Sequence, residues 1–243
     1  VARYLLTVVR PLYKWLRHAT TDLLFERRYG VHTADLVYLD ELGLGDAERK
    51  RYQPTGWLSL VRILRLSEVG PDDVFIDFGC GMGRAVLQAA IRYPFRKVIG
   101  VEISEKLIGI ARDNLARNTS RLRCKDVSLV CADALDYEIP DDVTVAYFAN
   151  PFTGSIFNRV IKSLIESVDR APRTVRVIYA NPVEESMLLQ TGRFRHVRTA
   201  RGLRPTREWS RSNSIRMYLL EPENSTVRPV PSADQRLDSR PRS

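Results

Sequence analysis

Two hydrophobic rhythms alternate along this chain. Short, nearly unbroken apolar runs occur at VFIDF (74–78), KVIGVEI (97–103), VSLVC (127–131), VTVAYF (143–148) and TVRVIYA (174–180). Runs of that length predict strands buried on both faces of a parallel sheet. Between them apolar residues recur every three to four positions, which predicts helices from Arg84 to Tyr93, after Ser104 and around 155–169. A further helix near 183–190 and strands near 194–199 and 213–220 would finish the sheet. Strand and helix alternating in this way predict an α/β, doubly wound Rossmann-like sheet. One more helix is expected after Pro54, with Thr55 as its N-cap, Trp57 in the core and the Gly70-Pro71 pair as its stop.

The flanks read differently. From Leu5 to Phe25 the spacing is helical but broken at Pro11, which predicts a kinked or two-part amphipathic helix packed on the main domain. Tyr13, Lys14, Trp15 and Arg17 would also suit a helix lying on a membrane surface. After Glu221 the stretch PENSTVRPVPSADQRLDSRPRS has no apolar face and predicts a disordered tail. The expected organisation is a helical N-terminal extension over 1–53, acting as lid or dimer interface, a domain over 54–221, and a tail over 222–243.

Composition changes this picture little. At 243 residues and 44% hydrophobic content the chain can bury a full core. No apolar run is long enough to cross a bilayer and no leader opens the sequence, so a cytoplasmic protein is expected. Cys80, Cys124 and Cys131 lack paired spacing, and His18, His32 and His196 are scattered, so neither a disulfide framework nor a metal site is expected. The net charge of +9 invites a nucleic-acid partner. The cations are dispersed, however, and solvated surface is the favoured reading.

The candidate chemistry lies in DFGCGMGR, directly after the first strand. In open parallel sheets ligands bind beyond the carboxyl ends of the strands, and glycines there let backbone approach them. A dinucleotide fingerprint needs glycine at position 84, where Arg84 stands. Glu102 ends the second strand, where a carboxylate can accept both hydroxyls of a ribose. Asp133 follows the third strand between Ala132 and Ala134, and Asn150-Pro151-Phe152 follows the fourth.

Asp77-Phe78-Gly79-Cys80-Gly81-Met82-Gly83 resembles the first motif of class I S-adenosylmethionine-dependent methyltransferases. The resemblance covers about residues 54–220 and implies S-adenosylmethionine as cofactor. It implies contacts from Asp77, Gly79, Cys80, Gly81 and Gly83 to the methionine part, from Glu102 to the ribose, and from Asp133 and Ala134 to the adenine, with Ile103 also against the cofactor. Asn150-Pro151-Phe152 is similar to the Asn/Asp-Pro-Pro-Tyr/Phe motif of amino-group methyltransferases, and to the Asn-Asn-Phe of the non-SET histone-lysine methyltransferases. Tyr93-Pro94-Phe95-Arg96 matches a bacterial branch of class I enzymes.

The implied activity is methyl transfer to a small molecule or peptide, at nitrogen, oxygen or a carboxylate. Methylation of RNA, DNA or protein is the alternative, and a non-catalytic cofactor-binding regulator the second. Asn150 is expected to accept a hydrogen bond from the nucleophile, and to touch the cofactor, while Pro151 and Phe152 shape an apolar slot. Tyr52 is expected to cover the cofactor and Thr55 to meet its carboxylate, a helix N-terminus favouring an anion. Arg204 and Arg207 around Trp209 are expected to bind an anionic substrate.

Overall fold

The computed structural model describes residues 12, 16, 20, 22–201 and 214–223. Seven strands form one sheet: β1 Val74–Phe78, β2 Lys97–Glu102, β3 Val127–Cys131, β4 Val145–Phe148, β5 Val175–Ala180, β6 Phe194–Ala200 and β7 Ile215–Leu220. Their order is β3-β2-β1-β4-β5-β7-β6. The first five pair in parallel, and β7 runs antiparallel between β5 and β6. Strand order reverses at β1, so β1 and β4 diverge toward their partners and open a crevice at their carboxyl ends.

Five helices flank the sheet: α1 Ser59–Ile63, α2 Arg84–Arg92, α3 Glu105–Ala116, α4 Gly154–Arg170 and α5 Glu185–Gln190. The period-two alternation of each strand feeds two apolar layers. Phe75, Tyr147, Ile178 and Met217 pack with α1 to α3, whereas Ile76, Phe148, Val177 and Tyr218 pack with α4 and α5. All five residues of β1 are buried. By the same alternation Asp77 falls on the Phe75 side, inside the first layer.

The helix expected after Pro54 is shorter than its apolar spacing suggests. It begins at Ser59, with Leu58 at the N-cap position, and Leu64 is already extended. Thr55 cannot cap it, because its hydroxyl is hydrogen-bonded to the Tyr147 hydroxyl at 2.6 Å and its carbonyl accepts from Arg84 at 2.9 Å. Trp57 is buried as expected, stacked between Phe25 and Tyr29 with the Arg84 guanidinium over its ring.

The part of the N-terminal extension that is described is stapled to the sheet through Arg84. This buried side chain ion-pairs with Glu26 at 2.7 Å and donates to the Thr33 hydroxyl at 2.7 Å. Burial of such a pair is tolerated because each polar atom finds a partner. Downstream, Val37 and Tyr52 exchange backbone hydrogen bonds, and residues 48–50 run beside the loop after β4. Most of the helix expected over 5–25, the loop between β6 and β7 and the tail beyond 223 lie outside the described residues, as do Arg204, Arg207 and Trp209.

Candidate active site

The glycine turn after β1 is bolted to the end of β2. Gly79 and Cys80 both donate to the Val101 carbonyl, at 2.9 and 3.0 Å, and Gly81 donates to the Glu102 carboxylate at 2.9 Å. The other Glu102 oxygen accepts from the Ser104 N–H at 3.1 Å. The four lone pairs of the carboxylate exceed its backbone donors, which leaves room for a further donor. Burial pushes the Glu102 carboxyl above its usual range, although three backbone N–H groups pull the other way. Asp77 lies deeper. Burial raises its carboxyl well above the ordinary value, the nearby Glu102 adds to the shift, and its Oδ1 has no hydrogen-bond partner.

Gly79, Gly81 and Gly83 all adopt left-handed φ angles, between 54° and 81°. The space their missing side chains leave is used by the protein itself. A Cβ at Gly79 would meet Pro151 at 2.4 Å, and one at Gly81 would meet the Tyr52 ring at 2.1 Å. Tyr52 thus lies on the turn, its hydroxyl tied to the Thr33 carbonyl at 2.9 Å and its ionisation pushed up by burial. Cys80 is buried and its thiol is pushed well up by burial, which keeps it neutral.

A cavity of about 640 Å³ opens beyond the strand ends. One wall is formed by Gly79, Glu102, Ile103, Asp133 and Ala134, and Tyr52 and Thr55 line it from the N-terminal side of the chain. Asn150, Pro151 and Phe152 form the opposite wall. Four other sequence-predicted residues, Asp77, Cys80, Gly81 and Gly83, do not line the cavity, and the Tyr52 ring lies over Gly81.

Asn150 has a left-handed backbone, φ 57°, and its buried side-chain oxygen has no partner. Sequence reading missed its twin. Asn181, at the end of β5, is also left-handed with φ 54°, lines the same cavity, and donates its N–H to the Ser214 carbonyl at 2.9 Å. The signal was present in the chain, since Ala149-Asn150-Pro151 recurs as Ala180-Asn181-Pro182. Ser214 lines the cavity as well, with a buried hydroxyl that lacks a partner.

The strap over 48–52 was also missed, for it carries no motif. The Glu48 carboxylate accepts from Ser155 N–H and Ile156 N–H, both at 3.0 Å, and so caps α4 from outside. Those hydrogen bonds, with the one from the Ser155 hydroxyl, hold its pKa below the usual range. The Lys50 backbone N–H donates to the Pro151 carbonyl at 2.9 Å, and the side chain of the neighbouring Arg49 crosses the cleft to ion-pair with Asp133. The strap therefore ties the Asn150 loop to the acid after β3.

Residues 75–173 match the family described as a methyltransferase domain. A protein-lysine N-methyltransferase of Saccharolobus islandicus is 32% identical over 97 residues, which is 40% of this chain and 58% of that protein. A geranyl diphosphate 2-C-methyltransferase of Streptomyces coelicolor is 32% identical over 113 residues, 43% of this chain and 36% of that protein. The chain thus spans little more than half, or less, of the curated relatives it matches. Among solved structures, a precorrin 8w decarboxylase of Methanobacterium thermoautotrophicum shares the fold, with a TM-score of 0.52 and 22% identity over 70% of this chain and 92% of that one.

Sheet order and crevice agree with the match of residues 75–173 to a methyltransferase domain, and S-adenosylmethionine is the cofactor that match implies. The residues present fit that group. Glu102 retains acceptor capacity at the cavity wall, Asp77 has an orphaned buried oxygen, and the cavity has room for a nucleoside.

Proposed function

We propose that the chain transfers the methyl group of S-adenosylmethionine to a small-molecule or peptide acceptor, at nitrogen, oxygen or a carboxylate. The observation that carries this reading is the glycine turn wired through Gly81 to the Glu102 carboxylate at the strand-order reversal. Glu102 takes the ribose hydroxyls, Ile103 and Ala134 flank the adenine, and Asp133 takes its amino group. The backbone of Gly79 to Gly83 and the carboxyl of Asp77 serve the methionine end, and Tyr52 and Thr55 close over it.

Bound there, the cofactor supplies an already activated sulfonium methyl. The protein's own task is to align a lone pair behind that carbon and exclude water, which can supply about 7–11 kcal/mol without an acid or base. The orphaned oxygen of Asn150 is placed to accept a hydrogen bond from an incoming N–H or O–H, and Pro151 and Phe152 give it an apolar wall. An amine must first shed its proton. Neither Cys80 nor Tyr52 suits that role, since burial holds both protonated. Arg204 and Arg207 beside Trp209 would meet an anionic group on the acceptor.

A second reading, methylation of RNA, DNA or a protein, is favoured by the net charge of +9 and by Lys50 and Arg51 on the cavity rim. A ribosomal RNA small subunit methyltransferase A of Thermobifida fusca is 38% identical to this chain over 94 residues, 37% of this chain and 30% of that protein. Calorimetry with S-adenosylhomocysteine and with a nicotinamide dinucleotide tests the shared core of both readings. Uptake of the first and not the second is expected, and the reverse would overturn both. Radiolabelled methyl transfer to extracts split into small-molecule, RNA and protein fractions then separates them. Cofactor uptake with no labelled fraction would leave a non-catalytic binder.

A further inference from the structure

Three polar residues stand in a row at the ends of adjacent strands on one wall of the cavity. β4 and β5 pair in parallel with Phe148 opposite Tyr179, so the same register carried two residues further sets Asn150 opposite Asn181. Neighbouring strands lie about 4.8 Å apart, which brings the two residues side by side. Both have a left-handed backbone, φ 57° and 54°, and both precede a proline, so the turn after β4 is repeated after β5. Ser214 completes the row, because β7 pairs with β5 and the Asn181 N–H donates to the Ser214 carbonyl at 2.9 Å. All three residues line the cavity.

Two polar atoms of the row have nothing to bond. The Asn150 Oδ1 and the Ser214 Oγ are buried without a hydrogen-bond partner, and Ser214 as a whole is 1% exposed. An orphaned buried polar group is destabilising, and an apolar side chain would fill the same space without that cost. Rotation about one side-chain torsion is enough to change where either oxygen points. Asn181, between them, is exposed.

The charge around the row narrows its ligand. Among the described residues, every charged side chain that lines the cavity belongs to residues 40–62 or to the ends of β2 and β3, and the row is flanked instead by Ala149, Ala180, Pro151 and Ile215. A carboxylate or phosphate set here would meet the Asn150 oxygen with no cation to balance it, and an ammonium would find no carboxylate. A neutral group has neither difficulty. An asparagine amide accepts at one atom and donates at another, and a serine hydroxyl does both. Such residues in a line match a planar group that carries an N–H donor beside an acceptor.

We infer that Asn181 and Ser214 form, with Asn150, a subsite for an uncharged, planar donor–acceptor group of the carboxamide type, and that they position this part of the acceptor. The inference rests on the methyl-transfer reading only in calling that ligand the acceptor. The subsite itself is a property of the row.

Benzamide and benzoate, which share a shape and differ in charge, test it in titrations of the full chain followed by ligand-observed NMR, with and without saturating S-adenosylhomocysteine. Benzamide is expected to bind at least about tenfold more tightly than benzoate. Asn181→Gly, which keeps the left-handed backbone and removes the amide, and Ser214→Ala are each expected to weaken benzamide binding about three- to tenfold, with S-adenosylhomocysteine affinity within about twofold of the natural protein. Ser214→Ala is also expected to raise the melting temperature by about 2–4 °C, since it removes an orphaned hydroxyl and deprives no other group of a partner. Benzoate bound as tightly as benzamide, neither probe bound, benzamide affinity unmoved by both variants, or a lower melting temperature for Ser214→Ala would each overturn the inference. Failure to take up S-adenosylhomocysteine would overturn the methyl-transfer reading instead, and the titrations without it would still decide the subsite.

Discussion

The two walls of the cavity are built on opposite plans. On the wall after β1 and β2 the lining carboxylate is engaged by backbone, as Glu102 is by Gly81 and Ser104. On the wall proposed to receive the acceptor, Asn150, Asn181 and Ser214 come from three separate loops, and two of them carry buried polar atoms without partners. The first wall is preorganised by its own backbone. The second keeps buried polar atoms unpaired, which we propose an acceptor satisfies. An orphaned buried polar group costs about 1–3 kcal/mol, so the fold bears a cost on the side where chemistry would occur.

If that contrast holds, the largest effect comes from removing the carboxylate that anchors the preorganised wall. Glu102→Ala is expected to weaken S-adenosylhomocysteine binding about 100-fold, the loss of one or two charge-assisted hydrogen bonds. Calorimetry measures it directly, and an unchanged affinity would mean that the ribose is held elsewhere. On the other wall, Asn150→Ala is expected to leave that affinity within about twofold while lowering methyl transfer about 10- to 100-fold, in the range of other single polar contacts to a reacting group. Equal losses in both measurements would erase the division between the walls.

Asp77 offers a test through stability. Its folded-state pKa is raised, by burial first and Glu102 second, so the folded protein holds the proton more tightly than the unfolded chain. Its stabilising contribution is full below the unfolded pKa of about 4 and declines as pH rises toward the folded value, by about 1.4 kcal/mol per pH unit. Asp77→Asn cannot titrate. The variant is expected to match the natural protein near pH 4 and to exceed it increasingly toward neutrality in denaturant melts, while binding the cofactor less well. Parallel pH profiles for the two proteins would show that Asp77 is not the strained group.

The same contrast explains what could be read from the chain. The run VFIDF coincides with β1, whose burial on both faces leaves a continuous apolar run, and VSLVC coincides with β3 although that edge strand is only partly buried. The helix after Pro54 was overestimated, because Thr55 and Gly56 spend their polar groups on Tyr147, Arg84 and Ser59 rather than on a helix N-terminus. The glycines were read as room for a ligand, and the structure gives much of that room to Pro151 and Tyr52. Asn181 and Ser214 belong to the cavity through the pairing of β5 with β7, a long-range contact that no local pattern reports. Glu48 and Arg49 are ordinary surface residue types, and only the path of the strap places them across the cleft.

The smallest expected effect is the most discriminating for that strap. Arg49 ion-pairs with Asp133, and both side chains are only about a fifth exposed. If Asp133 takes the adenine amino group, as proposed, the guanidinium competes with the cofactor for the same carboxylate. Arg49→Gln is then expected to tighten S-adenosylhomocysteine binding about threefold at low salt, since a partly exposed pair is worth no more than about 1 kcal/mol. Added salt should tighten binding to the natural protein by screening the pair, and should leave the variant flat. Weaker binding by the variant would instead make Arg49 part of the cofactor wall, and the strap would then belong to the preorganised half of the site rather than to the half that waits for an acceptor.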